Sequence, residues 1–144
     1  MISMAQKTYY VDSCIWINLF KKEGDETKGV PYWKLAKDFI EDENNIIVST
    51  IVIKELSFKI EEKLNYVMRF FKDNESIKMI KTVPEDYDLA RKFEDEEEFK
   101  ISFYDYLHVA ISKRLNIPLI TRDKDLIAFA KKHIEVYRPE ELIN

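Results

Sequence analysis

Four carboxylates in this sequence stand near points where an apolar segment ends and a helix is expected to begin. They are Asp12, Glu55, Asp105 and Asp123. In an open parallel α/β sheet, ligands bind beyond the carboxyl ends of the strands, so acids at those ends converge on one region. Carboxylates held close together repel one another unless a cation lies between them, and hard divalent metals prefer oxygen ligands. The pattern therefore predicts a divalent-metal site, whose chemistry would be the activation of water and the stabilisation of developing negative charge.

Each of these acids also has a purely structural interpretation. Asp12 and Asp123 are placed to accept hydrogen bonds from the first free N–H groups of a helix. Asp105 lies three residues after Ser102, which is the spacing of a capping box in which the acid reaches back to the serine. Glu55 could be a solvated acid on a helix surface. A joint role in one site therefore depends on whether the fold brings the four acids together.

Apolar periodicity predicts strands that alternate with helices around the acids. Strands are expected over 9–11, 46–49, 77–83, 117–121 and 134–137. Helices are expected over 13–20, 33–40, 50–71, 84–99, 102–115 and 124–132. This alternation is typical of a parallel sheet covered by helices on both faces. The helix expected over 102–115 leads away from Asp105, and the strand expected over 117–121 returns through a right-handed crossover. Asp123 is therefore expected at the sheet edge that holds Asp105.

Composition indicates one folded domain over residues 1–144, because 46% of the residues are hydrophobic and 13% are aromatic. The formal net charge of -4 argues against a protein held to nucleic acid by bulk charge, although an enzyme needs only a local basic rim. Cys14 is the single cysteine, which favours a reducing compartment. No apolar run approaches the roughly 20 residues of a membrane span, and residues 1–6 are too polar for a signal peptide. We therefore expect a cytoplasmic protein.

Four blocks around the acids together resemble those of PIN-domain ribonucleases. The blocks are YYVDSC at 9–14, STIVIKEL at 49–56, YDYLHVA at 104–110 and LITRDKD at 119–125. They occur in order between Tyr9 and about Ile134, and they are similar to those of the VapC-type toxins of prokaryotic toxin–antitoxin pairs and their archaeal relatives. The resemblance implies a three-layer α/β/α PIN-like domain with a central parallel sheet of four to five strands.

The same resemblance implies a set of site residues. The four acids would bind Mg²⁺ or Mn²⁺ and would be the catalytic residues (Asp12, Glu55, Asp105 and Asp123). Three neighbours would support them, with the Thr121 hydroxyl positioning carboxylate and water (Thr121, Ser13 and Asp125). Basic side chains close in sequence to the blocks are candidate RNA contacts (Lys21, Lys22, Lys54, Arg122 and Lys124). One or two metal ions would activate a water molecule against the scissile phosphorus.

The leading interpretation is a metal-dependent endoribonuclease that serves as the toxin of a toxin–antitoxin pair. The resemblance implies an RNA substrate, a homodimer and an antitoxin whose C-terminal segment blocks the site. Two alternatives remain open, namely a catalytically idle PIN module that binds RNA or a protein partner, and a housekeeping RNA-processing nuclease. A haloacid-dehalogenase-like phosphatase is disfavoured because position 14 is cysteine instead of a second aspartate. Nucleotide hydrolysis of the Walker type is disfavoured because the sequence has no glycine-rich phosphate loop.

Two further side chains that could do chemistry are expected to be structural. His108 lies one helical turn after Asp105 and is expected to pack within its helix. Cys14 is expected to be buried because its neighbours are Ile15 and Trp16, and no zinc-ligand spacing involves it.

Overall fold

The computed structural model describes residues 7–42 and 44–143, so the stretch 1–6, considered above as a signal peptide, lies outside the described residues. The strands are β1 (Thr8–Val11), β2 (Asn45–Ser49), β3 (Ile77–Ile80), β4 (Leu119–Ile120) and β5 (Val136–Tyr137). They form one parallel sheet in the order β3-β2-β1-β4-β5. Because β1 pairs with both β2 and β4, the order of the chain reverses beside β1. Such a reversal is where an open α/β sheet forms its ligand-binding crevice.

Helices cover both faces of this sheet. They are α1 (Ser13–Lys21), α2 (Tyr32–Glu41), α3 (Thr50–Lys59), α4 (Leu64–Asp73), α5 (Pro84–Glu96), α6 (Phe103–Leu115) and α7 (Lys124–Ala130). Short 3₁₀ turns occupy Glu61–Lys63 and Pro139–Glu141. The predicted three-layer α/β/α architecture with a parallel central sheet is therefore confirmed. None of the described helices has the length and apolarity that a membrane crossing would need.

The hydrophobic core covers both faces of the central strands. Tyr10, Val11, Ile46 and Leu119 are fully buried, as expected for strands that are covered on both faces. An aromatic contact joins two of the helices that cover the sheet. The Trp16 ring on α1 lies edge-on to the Phe71 ring on α4, with the ring centroids 4.7 Å apart. Tyr66, in contrast, is 62% exposed.

The prediction of one helix over 50–71 is wrong, because the chain forms two helices there. Helix α3 ends at Lys59, and Ile60 has φ -138° and ψ 47°, which are not helical angles. The apolar stripe runs through the break, since Ile60 itself is fully buried, and no glycine or proline marks it. Acidic residues favour the first turn of a helix, so Glu61 and Glu62 are the one local signal of a new start.

Other predicted elements are present with shorter bounds. Strands expected over 77–83, 117–121 and 134–137 are trimmed to β3, β4 and β5, and helices expected over 84–99 and 124–132 to α5 and α7. The shortening of β3 has a local cause, because Val83 takes the N-cap position of α5 and Pro84 its first turn.

An ion pair fixes α6, the helix that carries Asp105, against α5. Arg114 donates from Nε to Oδ1 of Asp86 at 2.8 Å and from its terminal nitrogen to Oδ2 at 3.1 Å. Asp86 is 1% exposed, and its Oδ2 also accepts a hydrogen bond from the backbone N–H of Val83 at 3.0 Å. The buried carboxylate thus depends on Arg114 for its compensating charge.

We expect Arg114→Ala to lower the free energy of unfolding by about 2 kcal/mol, because it leaves the Asp86 carboxylate buried and unpaired. A third of the Arg114 side chain is exposed, so water would moderate the full cost of such a break. Urea unfolding followed by circular dichroism measures the change, with Lys113→Ala at the exposed neighbouring position as the control. A loss below about 0.5 kcal/mol would contradict this account of the pair.

Candidate active site

The four predicted acids lie near one another beyond the carboxyl end of β1, where the order of the sheet reverses. Asp12 is the residue between β1 and α1, and Asp123 is the N-cap of α7 after β4. Glu55 lies within α3, and Asp105 lies in the first turn of α6. The carboxylates therefore come from four different helices: two are N-caps, one lies in a first turn and Glu55 lies in mid-helix.

Asp12 is the most tightly held of the four acids. It is 3% exposed, and its Oδ1 accepts a hydrogen bond from the backbone N–H of Ser13 at 2.7 Å. Its Oδ2 accepts one from the Thr121 hydroxyl at 2.8 Å and one from the Cys14 thiol at 3.2 Å. The expected capping contact is present, and Thr121 and Ser13 both touch the carboxylate. Burial raises the pKa of the Cys14 thiol, and the charge of Asp12 adds to the effect, so Cys14 is a neutral donor here.

Glu55 is buried, so the interpretation of a solvated surface acid is wrong. Its exposed fraction is 8%, and its Oε1 lies 2.6 Å from Nε2 of His108. The same nitrogen is 3.4 Å from Oδ1 of Asp12. Within the described residues, potential ligand atoms of Asp12, Glu55 and His108 all lie within 4.8 Å of one another.

His108 is therefore part of the site, which the sequence alone did not indicate. It is fully buried, as expected, but it contacts acids in addition to packing within its helix. The available signal was its spacing, because residues three apart on a helix share a face and Asp105 is three residues earlier. The two acids that His108 contacts come from α3 and the end of β1, and no local pattern encodes that pairing.

Asp105 shows the electrostatic strain of the cluster. Burial, together with the charges of Asp12, Asp123 and Glu55, raises the pKa of its carboxyl group to about 6, although the nearby His108 lowers it. For His108, burial alone would lower the pKa, but the hydrogen bond to Glu55 and the nearby acids outweigh burial and raise it. The site thus gathers more negative charge than the protein compensates, and its oxygen donors suit a hard divalent cation.

The capping-box interpretation of Asp105 is only half correct. Its backbone N–H donates to Ser102 Oγ at 3.3 Å, so Ser102 caps α6. In the described part of the chain, however, the Asp105 carboxylate does not return a hydrogen bond to Ser102. Its oxygens are thereby left for the site.

Asp123 combines a cap with a place near the other acids. Its Oδ1 accepts hydrogen bonds from the backbone N–H groups of Asp125 at 2.9 Å and Leu126 at 3.2 Å. Its own backbone N–H donates to Thr121 Oγ1 at 3.2 Å, and its charge reaches Asp105. Asp123 and Asp125 are both exposed, unlike the buried Asp12.

The predicted basic contacts are spread unevenly around the site. Lys54 adjoins Glu55 on α3, and its Nζ lies 5.8 Å from the centre of the Tyr104 ring. Lys124 is exposed in the first turn of α7, beside Asp123. Lys21 and Lys22 are exposed at the C-terminal end of α1, the opposite end from Asp12.

Arg122 is engaged in a different contact. Its two terminal nitrogens donate to the two carboxylate oxygens of Glu140, each at 2.8 Å. The guanidinium group also lies over the Tyr32 ring, 4.1 Å from its centre. These contacts tie the segment after β4 to α2 and to the C-terminal 3₁₀ turn, so a free guanidinium for RNA would require that Glu140 release it.

Residues 9–132 match the family model of the PIN domain, and the chain therefore belongs to the PIN-domain family. Among solved structures, FitAcB from Neisseria gonorrhoeae is similar, with 14% identity and a TM-score of 0.66 over 93% of this chain and 99% of that chain. VapC20 from Mycobacterium tuberculosis, described as a sarcin–ricin loop cleaving toxin, has 16% identity and a TM-score of 0.65 over 83% and 93%. A toxin–antitoxin complex from Klebsiella pneumoniae has 19% identity and a TM-score of 0.64 over 91% and 97%. At these identities the likeness shows a shared fold. A search of curated proteins finds no significant match.

Proposed function

We propose that this protein is a metal-dependent endoribonuclease that acts as the toxin of a toxin–antitoxin pair. The observation that carries the proposal is the convergence of acids from four helices on one sheet edge, where burial and the charges of the other acids raise the pKa of Asp105 to about 6. Membership of the PIN-domain family supports a nuclease. A protein that only bound a partner would have no need of mutually repelling carboxylates at this edge.

The residues that would hold Mg²⁺ or Mn²⁺ are the four predicted acids (Asp12, Glu55, Asp105 and Asp123). A bound divalent ion supplies a Lewis acid that activates water and neutralises charge on the phosphate. The protein's own part is to hold the acids in place before the substrate arrives. Thr121, Ser13 and Cys14 fix the Asp12 carboxylate through hydrogen bonds.

RNA would approach over the exposed rim of this edge. Lys54 and Lys124 are the exposed cations that adjoin acids of the cluster, and we assign them to contact phosphates of the substrate. Lys21 and Lys22 would then contact only a longer RNA. The exposed position of Asp123 suits this direction of approach.

We further propose a cytoplasmic homodimer with a cognate antitoxin as partner. Support for the antitoxin partner comes from the similar solved structure that is itself a toxin–antitoxin complex, and support for the toxin role from the similar toxin described as cleaving the sarcin–ricin loop. A housekeeping RNA-processing nuclease would use the same cluster but would be expressed without harm to its host. Induced expression in a bacterial host, with and without Asp105→Asn, separates the two roles.

The experiment that tests the nuclease is cleavage of a panel of single-stranded and hairpin RNAs with Mg²⁺ or Mn²⁺. We expect site-restricted cutting that EDTA stops and that renewed metal restores. The exposed-acid variant Asp88→Asn should cut like the wild type. A folded protein that binds metal but cuts no RNA in the panel would favour the idle binding module.

The affinity for Mn²⁺ should fall as the pH is lowered through about 6. Protons and metal compete for Asp105, whose pKa is about 6, so affinity at about pH 5 should be roughly tenfold weaker than at about pH 7.5. The stability of the metal-free protein should move in the opposite direction. Because the pKa in the folded protein lies above the usual value of 3.8, the contribution of Asp105 to stability is most favourable below that value and is lost as the pH rises through 6. Calorimetric Mn²⁺ titrations at the two pH values measure the effect, and equal affinities would contradict it.

A further inference from the structure

A buried row of four side chains leads from the end of β2 to the acid cluster. Ser49 Oγ lies 2.6 Å from the Tyr10 hydroxyl, which lies 2.6 Å from Nδ1 of His108, and Nε2 of His108 lies 2.6 Å from Oε1 of Glu55. The first three residues are fully buried and Glu55 is 8% exposed. We call this row the Ser49–Glu55 relay. We propose that His108 is a positioning residue that, through this relay, fixes the Glu55 carboxylate relative to the other acids of the metal centre.

The relay connects elements that each carry an acid. Tyr10 lies on β1, two residues before Asp12, and Ser49 is the N-cap of α3, which carries Glu55. His108 lies on α6, one turn after Asp105. A hydrogen-bonded row across these elements sets the separation of acids that would otherwise repel one another. Partners of this kind around metal ligands fix ligand orientation, and their loss commonly weakens metal binding.

The hydrogen bonds of the relay run in a direction that the protonation state of His108 sets. With a neutral His108, Ser49 donates its hydroxyl proton to the Tyr10 oxygen and Tyr10 donates to Nδ1 of His108, whereas a protonated ring reverses these two bonds; in both states the N–H at Nε2 of His108 donates to Glu55. Ser49 Oγ meanwhile accepts from the backbone N–H of Val52 at 3.3 Å. The opposite tautomer would place a nitrogen lone pair against a carboxylate oxygen at 2.6 Å, which is repulsive. Nε2 therefore presents a proton to the acids, so His108 holds a ligand and is not itself one.

The inference rests on the proposed metal-dependent function, and substitutions that differ in reach test it. A glutamine amide reaches the position of Nε2, whereas an asparagine amide reaches only that of Nδ1. We expect His108→Asn to weaken Mn²⁺ affinity by about 10- to 100-fold, and His108→Gln to retain more of it. Tyr10→Phe, which removes only the hydroxyl that orients the ring, should weaken binding severalfold. His133→Asn, at the other histidine of the chain, should bind like the wild type.

Four readouts distinguish positioning from general stability. Calorimetry gives Mn²⁺ affinity, urea unfolding in EDTA shows whether each variant folds, and RNA cleavage should show a fall in kcat with little change in KM. Electron spin-echo spectroscopy of the Mn²⁺-loaded wild type should show no directly bound imidazole nitrogen. If His108→Asn should fail to fold, Tyr10→Phe keeps the ring and the packing and still decides the question.

Each contrary outcome has a distinct meaning. Folded His108→Asn and Tyr10→Phe variants that bind Mn²⁺ like the wild type would overturn the relay. If Asp105→Asn lost Mn²⁺ binding in the same series, the proposed metal centre would still stand. A directly coupled imidazole nitrogen in the wild type would overturn positioning in favour of ligation by His108. A wild type that binds no Mn²⁺ would overturn both the relay and the proposed function.

Discussion

Replacing Asp105 by asparagine should abolish RNA cleavage and, without metal, make the protein more stable. The pKa of its carboxyl group is raised to about 6 by burial and by the charges of Asp12, Asp123 and Glu55, so at neutral pH the metal-free protein holds an uncompensated charge. A neutral amide of the same size removes that repulsion, which we expect to stabilise the fold by about 1–2 kcal/mol after allowance for partial exposure. The amide also removes an anionic ligand. Cleavage should fall at least about 1,000-fold, equivalent to roughly 4 kcal/mol of transition-state stabilisation.

The two halves of this prediction are measured separately. Cleavage of a responsive RNA gives the first, and urea unfolding in EDTA at about pH 7.5 gives the second, with the exposed Asp88→Asn as the matched control. Opposite changes in activity and stability cannot arise from misfolding. An Asp105→Asn protein that cleaves at the wild-type rate, or that is less stable in EDTA, would contradict the assignment.

Asp12→Asn should also abolish cleavage, but it should destabilise the fold. Asp12 accepts hydrogen bonds from Ser13, Thr121 and Cys14 at 2.7, 2.8 and 3.2 Å, and an amide can offer an acceptor on one side only. Hydrogen bonds to a charged acceptor contribute about 1.5–3 kcal/mol each, so their loss exceeds the relief of repulsion. We expect a net loss of about 2 kcal/mol in the free energy of unfolding and a fall in cleavage of at least about 1,000-fold.

The contrast between the two aspartates is the informative quantity. In EDTA, the free energy of unfolding should be higher than that of the wild type for Asp105→Asn and lower for Asp12→Asn. Asp38→Asn, at an exposed position on α2, controls for the loss of one charge. If both variants gained stability, the hydrogen bonds that hold Asp12 would contribute less than we infer. Wild-type cleavage by Asp12→Asn would remove that residue from the metal centre.

The fold and the positions of the acids could be predicted because local patterns encode them. Short apolar runs mark strands that are buried on both faces, and an aspartate after such a run marks a helix start, as at Asp12 and Asp123. Parallel crossovers then bring these starts to one edge of the sheet. The Asp123 side chain fulfils both predictions, because it caps α7 and its charge also acts on Asp105.

Features that depend on contacts between distant segments could not be predicted. Glu55 and His108 are 53 residues apart in sequence, and only the contact of their side chains in the folded chain shows that the acid is buried and paired. Arg122 and Glu140 are joined in the same way across 18 residues. The break at Ile60 escaped prediction because a buried residue continues the apolar stripe through a non-helical conformation.

The central claim is that these acids form a divalent-metal centre, and a calorimetric Mn²⁺ titration at about pH 7.5 tests it most directly. The wild type should bind Mn²⁺ saturably, and Asp105→Asn should lose that binding while remaining folded. A wild type without saturable binding, or an Asp105→Asn variant that binds as tightly as the wild type, would contradict the account.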